Sequence, residues 1–312
     1  MNDLTARVIN GDHRAIARLI SYVEDDNPDA VEAMKQLHAR TGNAQVIGVT
    51  GVMGSGKSSL IFEIALAYRA EGKKVGIIAI DPTSPFSGGA LLGDRIRMMD
   101  LSTDHGVFIR SMGTRGTMGG LTGSLYDVVE ILDAAGMNII LIETVGVGQD
   151  EVDIVKIADT TLVILVPGLG DSVQTIKAGL MEIADIFVVN KADQPGVEQT
   201  VAELESMLDL ATHIERRTPI ITTSAKEKKG ITLLLSKIAE HQEYSKKNRV
   251  FEARRRQRYE AELIEIIRKR LMNFILDEKK LKGAVDCCID QISRKEQDPY
   301  SAADEILGKI LK

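Results

Sequence analysis

The sequence predicts an α/β fold built on a mostly parallel central sheet that carries a phosphate-binding loop. Three observations lead to that expectation. Gly51-Val52-Met53-Gly54-Ser55-Gly56-Lys57-Ser58 matches the pattern G-x-x-x-x-G-K-S, whose glycines let successive backbone N–H groups face phosphate oxygens. The loop sits between an apolar run, Val46-Ile47-Gly48-Val49, and a helical stretch from Ser59 to Ala67, so the positive end of a helix faces the same anion. From residue 44 to about 241, short Val/Ile/Leu runs alternate with helical stretches, as in a parallel sheet covered on both faces. Together these define a P-loop NTPase domain, with a helical prefix before it and a helical tail after it.

Composition narrows the function. The 312 residues are 44% hydrophobic and 27% charged, enough apolar material for a packed core. Net charge is -6 with a pI near 5.5, which argues against a global attraction to nucleic acid or to a membrane surface. Aromatic residues make up 4% with no Trp, so a stacking platform for single-stranded nucleic acid is not expected. The two cysteines, Cys287 and Cys288, are adjacent and cannot build a disulfide framework, which fits a reducing, cytoplasmic setting. No apolar run reaches the length of about 18 residues needed to span a bilayer, and the start Met1-Asn2-Asp3-Leu4-Thr5 lacks a signal-peptide pattern.

Taken in order, the prefix (1–43) places Leu4, Val8, Ile16, Leu19, Ile20 and Val23 at helical spacing, broken at Asp25-Asp26-Asn27-Pro28. A second helix follows with Ala30, Val31, Met34 and Leu37 and ends at Thr41-Gly42-Asn43. The sheet domain (44–242) holds strand candidates at 45–50, 74–80, 107–111, 138–143, 161–166, 185–190 and 219–223. A helix from Leu233 to Ala239 closes it. The tail (243–312) reads as helices, with Tyr259, Leu263, Ile266, Ile267, Leu271 and Phe274 in an amphipathic stripe. Arg254-Arg255-Arg256-Gln257-Arg258 precedes that stripe as either an anion or partner site or a solvated helix face.

Ligands of such folds bind beyond the C-terminal ends of the strands, and every chemical motif lies at such an end. Lys57 is placed to reach the β- and γ-phosphates, and Ser58 to offer its hydroxyl to Mg²⁺. The second strand ends in Asp81-Pro82-Thr83-Ser84-Pro85 and leads to Gly93-Asp94. Asp81 is a candidate for Mg²⁺, directly or through water, or a turn cap; Asp94 is a candidate for the same shell or a helix cap. Mg²⁺ takes only one or two carboxylates, so both are not expected as direct ligands. The fourth strand runs into Glu143-Thr144-Val145-Gly146-Val147-Gly148-Gln149, where GTPases commonly carry D-x-x-G. Glu143 would face the Mg²⁺ shell and the Gly146 N–H the γ-phosphate, in a loop that GTP orders and hydrolysis releases. Gln149 is a candidate for positioning water or an ordinary polar loop residue. Arg115 and Lys177 are candidates for stabilising γ-phosphate charge in the transition state, or plain surface charges.

The sixth strand ends in Asn190-Lys191-Ala192-Asp193, an N-K-x-D motif, and the seventh in Ser224-Ala225-Lys226. Asp193 can accept from the ring N–H and exocyclic amine of guanine, donors that adenine does not present there, so GTP is expected over ATP. Ser59 continues the phosphate loop and completes the set of nucleotide contacts.

Five segments, G-V-M-G-S-G-K-S-S, D-P-T-S-P-F-S-G-G-A-L-L-G-D-R-I-R-M, R-G-T-M-G-G-L, E-T-V-G-V-G-Q-D-E and N-K-A-D, together resemble the MeaB/ArgK family, the GTPases associated with methylmalonyl-CoA mutase and its relatives. The resemblance is dense over about 45–240 and looser outside it; Met53 stands where the family usually has Pro. It implies a SIMIBI-type G domain and a G-protein chaperone that binds an adenosylcobalamin-dependent acyl-CoA mutase. GTP hydrolysis would gate cofactor loading and rescue, with adenosylcobalamin met only through the mutase. It further implies a homodimer built through the C-terminal arm. Lys57 and Ser58 carry over as phosphate and Mg²⁺ contacts, Asp81, Asp94 and Glu143 as the acidic Mg²⁺ shell, and Asn190, Lys191 and Asp193 as base readers. Gly170 to Lys177 resembles a switch that signals to the mutase. A nickel-insertion metallochaperone would carry Cys/His clusters and a transport-linked kinase an H-R-D catalytic loop; the sequence has neither.

Overall fold

The computed structural model describes residues 2–82, 101, 103–114, 120–144, 154–168, 180–210, 217–276 and 281–310. These fall into two compact units, Met1–Arg258 and Tyr259–Lys312. The first is built on a seven-stranded sheet in the order β3-β2-β4-β1-β5-β6-β7. Its strands are β1 Gln45–Gly51, β2 Val75–Pro82, β3 Val107–Thr114, β4 Ile139–Glu143, β5 Thr160–Leu165, β6 Ile186–Val189 and β7 Ile220–Thr222. Every pairing is parallel.

All seven expected strands are present. β1, β4, β5 and β6 are buried along their whole length, which is why they read as unbroken apolar runs rather than alternating ones. β3 extends three residues beyond its expected end, through Met112-Gly113-Thr114, because each of these finds a partner on β2. Ile47, Val49, Leu60, Ile61 and Ile64 sit in one core cluster that packs the helix α4 (Lys57–Ala70) onto the sheet. Each such side chain contributes about 1.5–3 kcal/mol by leaving water. β1 lies between β4 and β5, so the loop leaving β1 emerges at the middle of the sheet.

The prefix departs from the expected single helix over 4–23. It forms two, α1 (Asn2–Ile9) and α2 (His13–Glu24), followed by α3 (Pro28–His38). Gly11 adopts φ +77 and stops α1. Asp12 then caps α2 by accepting from the N–H groups of Arg14 and Ala15. All three pack toward α5 (Gly120–Ala134). Asp133 on that helix accepts from the N–H groups of Gly42, Asn43 and Ala44, which directs the chain into β1.

Helix α6 (Leu180–Ile183) connects β5 to β6, α7 (Val197–Leu210) connects β6 to β7, and α8 (Ile231–Lys247) and α9 (Val250–Leu276) follow β7. The arginine run at the start of α9 is neither a free anion site nor a solvated face. Arg254 donates to both oxygens of Asp185, each at 2.7 Å. Arg255 reaches the carbonyls of Gly42 and Ala44 and the Asp159 carboxylate, and stacks 4.1 Å above the Phe251 ring. Arg258 is buried against the Ile157 carbonyl; Arg256 is exposed. The run ties α9 to the N-terminal ends of β5 and β6.

This clamp makes stability pH-dependent. Burial alone pushes the Asp185 carboxyl up, but hydrogen bonds from Arg254 and His241 outweigh it and bring it down to about 2. An unfolded Asp titrates near about 3.9. The folded value is the lower one, so the stabilisation is complete above about pH 4 and disappears as pH falls towards about 2. The gap corresponds to about 2 kcal/mol. Asp185→Asn is therefore expected to be less stable than the parent chain at pH 7, with the difference shrinking in denaturant titrations run towards pH 2.5. A difference that stays constant with pH refutes the assignment.

In the second unit, α10 (Lys282–Ser293) and α11 (Pro299–Ile310) pack around Cys288, Ala302 and Ile306. Cys287 is exposed; both cysteines are free thiols. Among the described residues no helix is long and apolar enough to cross a membrane.

Candidate nucleotide-binding site

The P-loop runs from the last residue of β1, Gly51, into the first turn of α4. Three of its glycines hold positive φ: Gly51 at +138, Gly54 at +76 and Gly56 at +84. At Gly51 the requirement is spatial as well as torsional, because a Cβ there would lie 2.2 Å from the Ile164 carbonyl oxygen of β5. Val52 is half-buried, and Met53 at the tip is 80% exposed. Ser55 is fully buried, and its Oγ has no hydrogen-bond partner among the described residues. The buried Lys57 ammonium donates to the carbonyls of Gly51 and Val52 at 2.9 and 3.2 Å, so its charge lies over the loop rather than in solvent. Ser59 is half-buried on the first turn of α4.

Ser58 Oγ donates to Glu143 Oε1 at 2.7 Å, and both residues are buried. The sheet register explains the meeting: Val49 and Glu143 are partners across β1 and β4, and two residues of spacing put the Glu143 carboxylate beside the loop. A hydroxyl and a carboxylate are the hard oxygen donors that Mg²⁺ takes while keeping several waters. The residues present therefore fit that ion. Asp81 lies in β2, paired with Gly113 of β3; its side chain, and the whole of Asp94, lie outside the described residues, as do Arg115, Gly146, Gln149 and Lys177.

The end of β6 reaches the P-loop directly. Asn190, which is 1% exposed, donates through Nδ2 to the Ser55 carbonyl at 2.9 Å. Its Oδ1 accepts from Thr223 Oγ1 and the Ala225 N–H at 3.1 and 3.3 Å. Lys191, at φ +57, donates to the Gly54 carbonyl at 2.8 Å. Asn190 and Lys191 thus join the two motifs to each other. Asp193 is exposed, and Ser224 Oγ donates to its Oδ1 at 2.6 Å. That hydrogen bond, first among the causes, holds the Asp193 carboxyl below its ordinary range, so it is an ionised acceptor at neutral pH. Lys226 is exposed beside it. Sequence reading did not single out Thr223, Thr50 or Thr144, because a threonine ending a strand reads as ordinary β propensity.

The P-loop after β1 is thus joined to the segment after β6, with β5 between the two strands. Comparison with known proteins decides the chain's family. The family model for methylmalonyl Co-A mutase-associated GTPase MeaB matches residues 16–280. The chain belongs to the MeaB family. A Pyrococcus abyssi protein named as a GTPase is 50% identical over 315 residues, spanning 100% of this chain and 97% of that one. The GTPase ArgK of Escherichia coli is 36% identical over 235 residues, 72% of this chain and 71% of its own. The mouse protein named methylmalonic aciduria type A homolog, mitochondrial, is 31% identical over 266 residues, 84% of this chain and 64% of its own. A crystal structure of LAO/AO transport system kinase shares the fold, with a TM-score of 0.72 at 23% identity over 100% of this chain and 97% of that one. This MeaB-family chain is a P-loop GTPase, a class of enzyme that in general takes a guanine nucleotide with a metal ion.

Proposed function

We propose that this MeaB-family GTPase is a G-protein chaperone for an adenosylcobalamin-dependent acyl-CoA mutase, with GTP hydrolysis gating cofactor loading and protection or rescue of the mutase. The observation that carries this reading is the match of residues 16–280 to a family described as methylmalonyl Co-A mutase-associated. The mouse relative, named for methylmalonic aciduria, points the same way.

In this reading Lys57 and the P-loop N–H groups hold the phosphates, Ser58 contacts Mg²⁺, Asp81, Asp94 and Glu143 form the acidic shell around it, directly or through water, and Asp193 reads guanine. Bound Mg²⁺ supplies charge neutralisation on the β/γ oxygens. The Gly146 N–H senses the γ-phosphate, with Gln149 and Lys177 as the residues that position water or stabilise charge. Adenosylcobalamin is met only through the mutase. Residues 1–43 form a helical extension, 44–242 the GTPase domain and 243–312 a dimerisation arm. Support for the arm comes from its exposed apolar side chains, Leu263, Ile264, Ile267 and Leu271 among them, each more than 40% exposed, which a second copy would cover. Free Cys287 and Cys288 suit a reducing cytoplasm.

The test is GTP turnover and pull-down with purified adenosylcobalamin-dependent acyl-CoA mutases. Binding that differs between GTP and GDP, with turnover raised at least tenfold, is expected for one of them. Absence of nucleotide-dependent binding to every such mutase overturns the proposal. For the arm, light scattering is expected to give twice the chain mass, falling to the monomer value in Leu263→Asp/Ile267→Asp.

A further inference from the structure

Two threonines meet where β1 and β4 end. Thr144 Oγ1 donates to Thr50 Oγ1 at 3.0 Å. Both residues are buried to within 1% of completely. Thr50 precedes the first P-loop glycine, and Thr144 follows Glu143. The Thr144 N–H also donates to the Val49 carbonyl at 3.2 Å, continuing the β1–β4 ladder by one step.

Alternation of side chains along a strand puts Glu143 and Thr144 on opposite faces of the sheet. Glu143 shares a face with its partner Val49, whose side chain lies in the core cluster beneath α4. Gly48 and Thr50 face the other way; a Cβ on Gly48 would meet Ile154 at 2.8 Å. The end of β4 is therefore fastened to β1 and the P-loop from both sides. On one face Ser58 bonds the Glu143 carboxylate; on the other Thr144 bonds Thr50. The two bonds lie on opposite faces of the sheet, yet they hold consecutive residues of one strand end.

We propose that Thr50 and Thr144 are positioning residues for GTP hydrolysis. Their hydroxyl bridge fixes the last peptide of β4 so that the Glu143 carboxylate keeps the orientation in which it meets Ser58. The inference rests on the reading of Ser58 and Glu143 as the metal-facing pair. It goes beyond that reading by assigning the orientation of the carboxylate to a bond on the opposite face. Catalytic groups displaced by about 1 Å lose up to about a hundredfold in rate, so a loosened strand end has a measurable consequence.

The experiment compares full-length Thr50→Val, Thr144→Val, the double valine variant and Thr144→Ser, with Glu143→Gln as reference. Thermal midpoint, GDP affinity in EDTA, kcat, and the Mg²⁺ concentration for half-maximal turnover are measured on each. Each single valine variant orphans one buried hydroxyl and loses stability. The double variant removes both polar groups at nearly constant shape and regains stability. All three valine variants are expected to keep GDP affinity in EDTA, to lose about tenfold in kcat and to need severalfold more Mg²⁺. Thr144→Ser restores both values. A double variant with parental kcat and Mg²⁺ dependence shows the bridge to be structural only and overturns the proposal. If Glu143→Gln leaves kcat and Mg²⁺ dependence unchanged, the metal-facing reading itself fails, and the proposal with it. Should the valine variants not fold, Thr144→Ala against Thr144→Ser isolates the same hydroxyl with the same readouts, and equal values overturn the proposal.

Discussion

Asp193→Asn is expected to exchange guanine for xanthine. The Asp193 carboxylate is ionised at neutral pH, since the Ser224 hydroxyl donates to its Oδ1 and holds its carboxyl below the ordinary range. Two acceptors so placed suit the ring N–H and exocyclic amine of guanine. Asparagine in the same rotamer keeps Oδ1 towards Ser224 and turns its amide N–H₂ to the position of the second acceptor. That donor opposes the guanine amine and matches the carbonyl that xanthine carries at the same carbon. A site built around such hydrogen bonds discriminates by about 10⁴–10⁵. Asp193 is exposed in this chain, so a smaller change is expected, about 10²–10³ in the ratio of GTP to XTP half-saturation. Steady-state turnover with both nucleotides measures it. An unchanged GTP to XTP ratio removes Asp193 from base recognition.

The sheet was legible because its strands are buried on both faces and so carry unbroken Val/Ile/Leu runs, as in Ile139-Ile140-Leu141-Ile142. The motifs were legible because a phosphate cradle imposes local spacing, seen in the positive φ of Gly51, Gly54 and Gly56. What stayed hidden is of two kinds. The break between α1 and α2 was masked because Val8 and Ile16 stand eight residues apart, a spacing that an unbroken helix also satisfies, while Gly11 and Asp12 make the turn between them. The arginine run looked like solvated charge because its partners are remote: Arg254 meets Asp185 across 69 positions and Arg255 meets Asp159 across 96. The same distance hides the bond from Asn190 to Ser55, 135 positions apart. Spacing within one motif reports local geometry; no single sequence reports which distant motif it will touch.

That long-range bond leads to the other large effect. Gly56→Ala is expected to weaken both halves of the nucleotide site at once. Gly56 has φ +84 and caps α4, so any L side chain there carries left-handed strain of about 1–2 kcal/mol. Space is the larger obstacle. A Cβ on Gly56 would sit 2.7 Å from Asn190 Nδ2, the atom that donates to the Ser55 carbonyl. Asn190 cannot retreat freely, because its Oδ1 is held by Thr223 and the Ala225 N–H. Moving it drags the base loop from the phosphate loop. Gly54→Ala supplies the comparison: its φ is +76, but nothing lies within 4 Å of the added Cβ, so it meets the torsional strain without the clash. In titrations with a fluorescent GDP analogue, Gly56→Ala is expected to lose at least about 100-fold in affinity, a change of about 2.7 kcal/mol. Gly54→Ala should lose about tenfold. Equal losses in the two variants would mean that strain alone sets the requirement for glycine, and that the contact between Asn190 and the P-loop contributes nothing to holding the nucleotide.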